Sequence, residues 1–333
     1  MSLLVIRPGL LSSVQDNGRY GYQKYGVIAS GVMDPLAHRI ANMVVGNEGN
    51  EATIEITMVG PVIEFQNDTL FSLCGGDLSP TINNVPVPLW RPVWVRKGAQ
   101  LKFGTCLSGC RAYLAVAGGF DIPVVMGSKS TYLRGGIGGC QGRALKAGDR
   151  LEYGNDNPIS QSLIQSLSKE WDGGAFAAAS WSVSPDILPN FQANPVIRVI
   201  RGKEYHWFTE ESQNQLFKEG FSVSPQSDRM GYRLKGPYLS LKEPMELISE
   251  AVSFGTVQVP AEGQPIVLLA DRQTTGGYPK IAQIISVDLP LMGQLKPGDR
   301  IHFYEVSHRE AEEMFLLRET KLKQLKSSIL LKG

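Results

Sequence analysis

Leu145-Lys146-Ala147-Gly148-Asp149-Arg150-Leu151 returns as Leu295-Lys296-Pro297-Gly298-Asp299-Arg300-Ile301, 150 positions further on (149 to 299). In each copy a Gly-Asp turn leads into a strand-like run, with Tyr153 behind the first and Phe303 and Tyr304 behind the second. A phrase that closes two stretches of equal length reads as two related β domains rather than one extended solenoid. The expected boundaries are 1–154 for the first domain, 155–195 for a linker, 196–306 for the second domain and 307–333 for a terminal helix.

The rest of the chain agrees with a mainly β fold carrying a few helices. Its 36 glycines and 20 prolines punctuate short apolar runs such as 93–95, 112–116, 196–200 and 266–269, a density of turns that calls for many short strands. Asn83-Asn84 is an expected hairpin tip, because asparagine tolerates positive φ. One helix is expected from Pro35, with Asp34 as N-cap, an apolar face of Leu36, Ile40, Met43 and Val44, and a polar opposite face on which His38 is expected at the surface. Others are expected near 209–220 and after the capping box Ser307-His308-Arg309-Glu310, the last lying across a sheet. The serine-, alanine- and asparagine-rich 155–195 segment carries a further short helix around 162–171.

Composition excludes several function classes. At 333 residues and 42% hydrophobic, the chain has material for two cores. With 33 basic against 32 acidic residues it offers no field for nucleic acid, and its apolar runs are too short for a signal peptide or a membrane span, so a cytoplasmic protein is expected. Cys74, Cys106, Cys110 and Cys140 show no Cys-x-x-Cys spacing and are expected as reduced thiols. Gly127-Ser128-Lys129-Ser130 lacks the Gly-Lys adjacency of a phosphate-binding loop, and Gly136-Ile137-Gly138 fails the dinucleotide pattern at Gln141. His38, His206, His302 and His308 form no zinc pair, and no metal site is expected.

Four polar, glycine-punctuated loops are left as site candidates. Asp16, Arg19 and Glu55 form one set, in which Arg19 is the expected partner of a Glu55 set in an apolar run; a purely structural ion network there is as good a reading as substrate contact. Gly26 to Asp34 is the second loop. Ser224 to Arg233 is the third, with Asp228, Arg229 and Arg233, and Asp271 to Pro279 the fourth, which opens with Asp271-Arg272 and continues through Gln273, Thr274, Thr275, Gly276, Gly277 and Tyr278. Guanidinium groups bind carboxylate or phosphate in two-point fashion, and glycine lets backbone amides approach an anion.

Taken together, Val14-Gln15-Asp16-x-Gly18-Arg19, Ser30-Gly-x-Met33-Asp34, Ala112-Tyr-Leu-Ala-Val-Ala-Gly-Gly119, Ser227-Asp-Arg-Met-Gly-Tyr-Arg233, Val257-Gln-Val-Pro260 and Gln273-Thr-Thr-Gly-Gly-Tyr278 resemble the KipA-type family, whose members are also described as similar to the second subunit of allophanate hydrolase. The resemblance runs through nearly the whole chain. It implies two cyclophilin-like β-barrels and a role as the C subunit of an ATP-dependent 5-oxoprolinase, which opens the 5-oxoproline lactam to L-glutamate with hydrolysis of ATP to ADP and phosphate. It further implies a KipI-like B subunit and a separate A subunit as partners, ATP with Mg2+ as the nucleotide, bound by this chain or its partner, and binding of KipI as a regulatory role. Relatives in urea carboxylase move CO2 from carboxybiotin to an amide nitrogen, so a carboxyltransferase component is the alternative; the chain has no Ala-Met-Lys-Met segment, so biotin on this chain is not expected. On this reading Asp16, Asp34, Asp228 and Arg229 are the catalytic candidates, and Arg19, Glu55, Arg233 and the 273–278 loop the substrate-binding ones. Arg229→Ala is expected to abolish turnover with the fold intact.

Overall fold

The computed structural model describes residues 1–332, and the repeated phrase folds the same way twice. The amides of Asp149 and Asp299 each donate to the carbonyl three residues back, at Lys146 and Lys296, 3.1 Å in both. Gly148 and Gly298 occupy the third turn position at φ +88° and +94°, where L side chains are strained. Each aspartate then accepts the amide of the lysine that opens its turn, at 2.7 Å for Asp149 and 3.0 Å for Asp299. Each turn also docks on a neighbouring strand by the same two bonds: Gly148 and Asp149 exchange with Val5, Gly298 and Asp299 with Val223.

The chain divides into two compact units. The first comprises Met1–Arg19, Asp34–Pro189 and the chain from Thr320 onward; the second comprises Tyr20–Met33 and Asn190–Glu319. In the first unit two six-stranded sheets enclose one core. One sheet contains Ser2–Arg7, Val62–Phe65 and Gln100–Lys102; the other is centred on Thr69–Asp77, Ser108–Val116 and Thr53–Thr57. Leu3, Val5, Ile54, Ile56, Phe65, Phe71, Leu114 and Phe120 meet between them, all with no exposed surface, and burial of such side chains supplies the main stabilisation. The Asn83-Asn84 tip forms as expected, with both residues at positive φ and Ile82 paired to Val85.

In the second unit seven strands close a barrel in the order Val196–Arg201, Lys280–Ile284, Thr256–Gln258, Ile266–Leu268, Gly231–Lys235, Gly220–Val223 and Arg300–Glu305. The first and last pair in parallel, Val196 against His302, and this pairing removes the open edges. Ile197, Val199, Phe221, Val267, Ile281 and Ile301 fill the interior.

Among the described residues five α-helices accompany the sheets: α1 (Pro35–Val44), α2 (Pro158–Glu170), α3 (Glu210–Lys218), α4 (Leu289–Gly293) and α5 (His308–Leu330). Asp34 caps α1 by accepting the amides of Leu36 and Ala37, with Pro35 in the first turn. Two expectations fail here. His38 is wholly buried, because α1 also buries Ala37, Ala41 and Asn42 and presents no broad polar face. The α5 capping box forms reciprocally between Ser307 and Glu310, yet over 23 residues only Leu322 and Ile329 are buried, so α5 does not lie across a sheet along its length.

Candidate functional site

In the second unit, residues 224–233 fold into a tight loop. The amide of Met230 donates to Asp228 Oδ1 at 2.7 Å, that of Ser224 to the Arg233 carbonyl at 2.9 Å, and that of Arg233 to Ser227 Oγ at 3.1 Å. This turn leaves Asp228 and Arg233 exposed and sends Arg229 inward. Arg229 grips Asp271 at two points, Nε to Oδ2 and Nη2 to Oδ1, both 3.0 Å, and its Nη2 also donates to the Gly31 carbonyl at 2.5 Å. Ser30 Oγ donates to the same carboxylate at 2.7 Å. Both partners are buried, at 5% and 7% exposure, and Ser30 holds φ at +55°. The buried pair therefore fastens the 26–33 loop to the barrel, and Asp271 and Ser30, which stand in two of the candidate loops but carry no role of their own in the sequence reading, are central to it.

The 273–278 loop is directly continuous with Asp271. Gln273, Thr275 and Tyr278 are exposed, and Thr274, Gly276 and Gly277 half-buried. A Cβ on Gly276 would stand 2.6 Å from Gln258 Nε2, which itself donates to the Tyr278 carbonyl at 3.1 Å, so glycine is needed for this approach. Gly277 and Tyr278 line a cavity of about 590 Å³ with Tyr238, Met245, Leu247 and Pro260.

In the first unit Asp16 follows the strand Leu11–Gln15 and is saturated. Its carboxylate accepts Ser128 Oγ at 2.7 Å, Ser130 Oγ at 2.5 Å, the Lys129 amide at 2.6 Å and the Gly18 amide at 2.9 Å. Burial alone would raise its pKa, but these four donors outweigh it and hold the carboxyl below its ordinary value. Arg19, fully buried, donates to the carbonyls of Val125 at 3.0 Å and Ser130 at 2.8 Å. Lys129, the lysine of the failed phosphate loop, is held by Glu51 at 2.9 Å and by the Phe120 carbonyl.

Glu55 takes partners within its own sheet. It lies directly across from Tyr113 in the sheet and accepts the tyrosine hydroxyl at 2.8 Å, while Arg111 Nε stands 3.9 Å away. The Asp34 amide donates to the same hydroxyl at 2.8 Å, so cap, phenol and carboxylate form one relay. Burial, then the Glu55 charge, pushes the Tyr113 pKa well above its usual value. His38 Nδ1 meets Thr53 Oγ1 at 2.9 Å, and burial lowers its pKa to about 4. Among the described residues no three His, Cys, Asp or Glu side chains converge as a metal site.

The structure thus joins Asp16 and Arg19 through Ser130, binds Arg229 to Asp271, and leaves Asp228, Arg233 and much of the 273–278 loop at the surface. Ser128, Ser130, Tyr113 and Arg111 escape a reading of the sequence because their partners are 56 to 114 residues away, some across a sheet whose register no local pattern announces.

Over residues 25–305 the chain matches the family described as carboxyltransferase domain, subdomain A and B. It is 38% identical over 315 residues to the C subunit of 5-oxoprolinase from Haemophilus influenzae, covering 95% of this chain and 94% of that one. The corresponding C subunit from Escherichia coli is 40% identical over 309 residues, covering 93% of both chains. The urea carboxylase structure of Kluyveromyces lactis superposes with a TM-score of 0.87 at 31% identity, covering 97% of this chain and 29% of that one. The K. lactis urea amidolyase structure gives 0.86, with this chain spanning 20% of its length. Among the described residues no helix is long and apolar enough to cross a membrane.

Proposed function

Because the chain belongs to the carboxyltransferase domain, subdomain A and B, family, we propose that it is the C subunit of a 5-oxoprolinase that opens the 5-oxoproline lactam to L-glutamate at the expense of ATP, acting with a KipI-like B subunit and an A subunit. The observation that carries this reading is the near full-length match, at 38% and 40% identity, to two proteins named as the C subunit of 5-oxoprolinase.

The chemistry explains the need for ATP. A lactam carbonyl is a poor electrophile. Transfer of the γ-phosphoryl group to its oxygen releases ADP and gives an imidate-like phosphate ester; one water adds at that carbon and the C–N bond breaks, leaving a free amine and an acyl phosphate, and a second water displaces phosphate from the acyl carbon to yield glutamate. Such steps need donors and cations around developing negative charge rather than a nucleophile in the protein. Substrate contact on this reading falls to the exposed Asp228, Arg233 and the 273–278 loop. Asp16, Arg19, Asp34, Glu55 and Arg229 act as positioning residues, since their hydrogen bonds are made inside the protein. Mg2+ arrives with the nucleotide.

The test is reconstitution from separate subunits, following ADP and glutamate independently. Glutamate formed only with all three subunits and ATP supports the proposal; turnover that is unaffected by omitting this chain sinks it. The TM-score of 0.87 with urea carboxylase favours a second reading, a carboxyltransferase component served by a biotin carrier on another protein. Streptavidin blotting of co-purified partners separates the two.

A further inference from the structure

The second unit contains three Asp-Arg dipeptides, and two of them, Asp228-Arg229 and Asp271-Arg272, are linked across the fold. Arg229 crosses to Asp271, 42 residues away, with Nε to Oδ2 and Nη2 to Oδ1 both at 3.0 Å. Arg272 therefore stands beside a carboxylate already committed to another guanidinium and to a buried serine.

Arg272 is half-buried, and among the described residues no carboxylate lies within ion-pairing distance of it. Its hydrogen bonds are long and go to backbone carbonyls, Nε to Val252 at 3.4 Å and Nη1 to Leu269 at 3.3 Å. The Phe254 ring lies 5.9 Å from the guanidinium carbon. Burial pushes the group below the ordinary arginine value, with Tyr20 the other group that acts on it. Arg143, Arg198 and Arg201 move the other way, each being paired with a carboxylate. A desolvated guanidinium without a counter-ion is costly, and proteins retain one where an anion arrives to neutralise it. The residues that follow, Gln273, Thr274 and Thr275, make no side-chain hydrogen bond among the described residues, so uncommitted donors adjoin the uncommitted cation.

We propose that Arg272, with the polar side chains of 273–275, is the seat of a small oxyanion, a carboxylate or phosphate group, with Arg229 reserved for holding Asp271 and the 26–33 loop. The identity of that anion rests on the 5-oxoprolinase reading, which supplies 5-oxoproline, a carboxylate, and inorganic phosphate. The existence of the seat does not depend on that reading.

Calorimetric titration of the full chain with 5-oxoproline and, separately, with inorganic phosphate tests the seat directly. The wild-type chain binds at least one of them, R272Q weakens that binding by at least about tenfold, and R272K recovers part of it, since a lysine keeps the charge without the two-point fork. The two ligands distinguish a substrate carboxylate from a phosphate. A thermal melt of R272Q that matches wild type shows that the loss is not unfolding. Wild-type protein that binds neither anion, or R272Q that binds as tightly as wild type, overturns the proposal. A reconstituted wild-type complex that makes no glutamate removes the 5-oxoprolinase reading instead and leaves the titration result standing.

Discussion

Arg229 and Asp271 are joined by two hydrogen bonds of 3.0 Å each, in a site where neither residue exposes more than 7% of its surface. This pair changes what a substitution at Arg229 means. Removal of one partner leaves a buried charge uncompensated, at a cost of about 3–5 kcal/mol, whereas removal of both is far milder. Arg229→Ala is expected to lower the unfolding midpoint strongly, so its loss of activity reports the fold as well as chemistry. The double variant R229A/D271A is expected to be less destabilised than the sum of the single ones, in a denaturant double-mutant cycle; additive losses would show that the pair is not coupled.

His38 makes stability depend on pH. Its folded pKa, about 4, lies below the ordinary 6.5, so the buried neutral ring contributes stability that is fully present above pH 6.5 and lost as pH falls through 4. The loss is on the order of 3 kcal/mol across that window. His38→Gln is expected to flatten the profile between pH 6.5 and 4 in chemical denaturation; an unchanged slope would contradict the assignment.

Asp16 works lower on the scale. Its folded pKa is depressed below 3.8, so its stabilisation is present above that value and is lost only as pH falls further. Asp16→Asn keeps the shape but presents an amide to four donors, and about 2–3 kcal/mol of destabilisation is expected, read as a shift in denaturation midpoint with an unchanged slope.

The repeated turn gives a matched pair. Gly148 and Gly298 sit at φ +88° and +94° with nothing within 4 Å of an added Cβ, so Gly→Ala at either costs only backbone strain, about 1–2 kcal/mol. Gly142→Ala meets the Gly136 carbonyl oxygen at 2.0 Å and is expected to cost clearly more. Equal melting shifts for all three would refute the steric account.

The turn is legible in the sequence because its chemistry is local: glycine at the third position, aspartate to accept the opening amide. Caps are legible for the same reason, at Asp34 and at Ser307–Glu310. Pairings are not. Glu55 finds Tyr113 because strand register sets the two opposite, and Arg229 finds Asp271, 42 residues away, because the barrel brings two distant loops together. Helical spacing places His38 opposite the apolar stripe, and nothing in that spacing says that the far side of α1 is covered too.

The most direct test of function is glutamate production from 5-oxoproline by this chain combined with the proposed A and B subunits. The account predicts ATP-dependent glutamate, with ADP released alongside it, only when all three are present. Full activity in the absence of this chain, or no glutamate from the complete set, would contradict it.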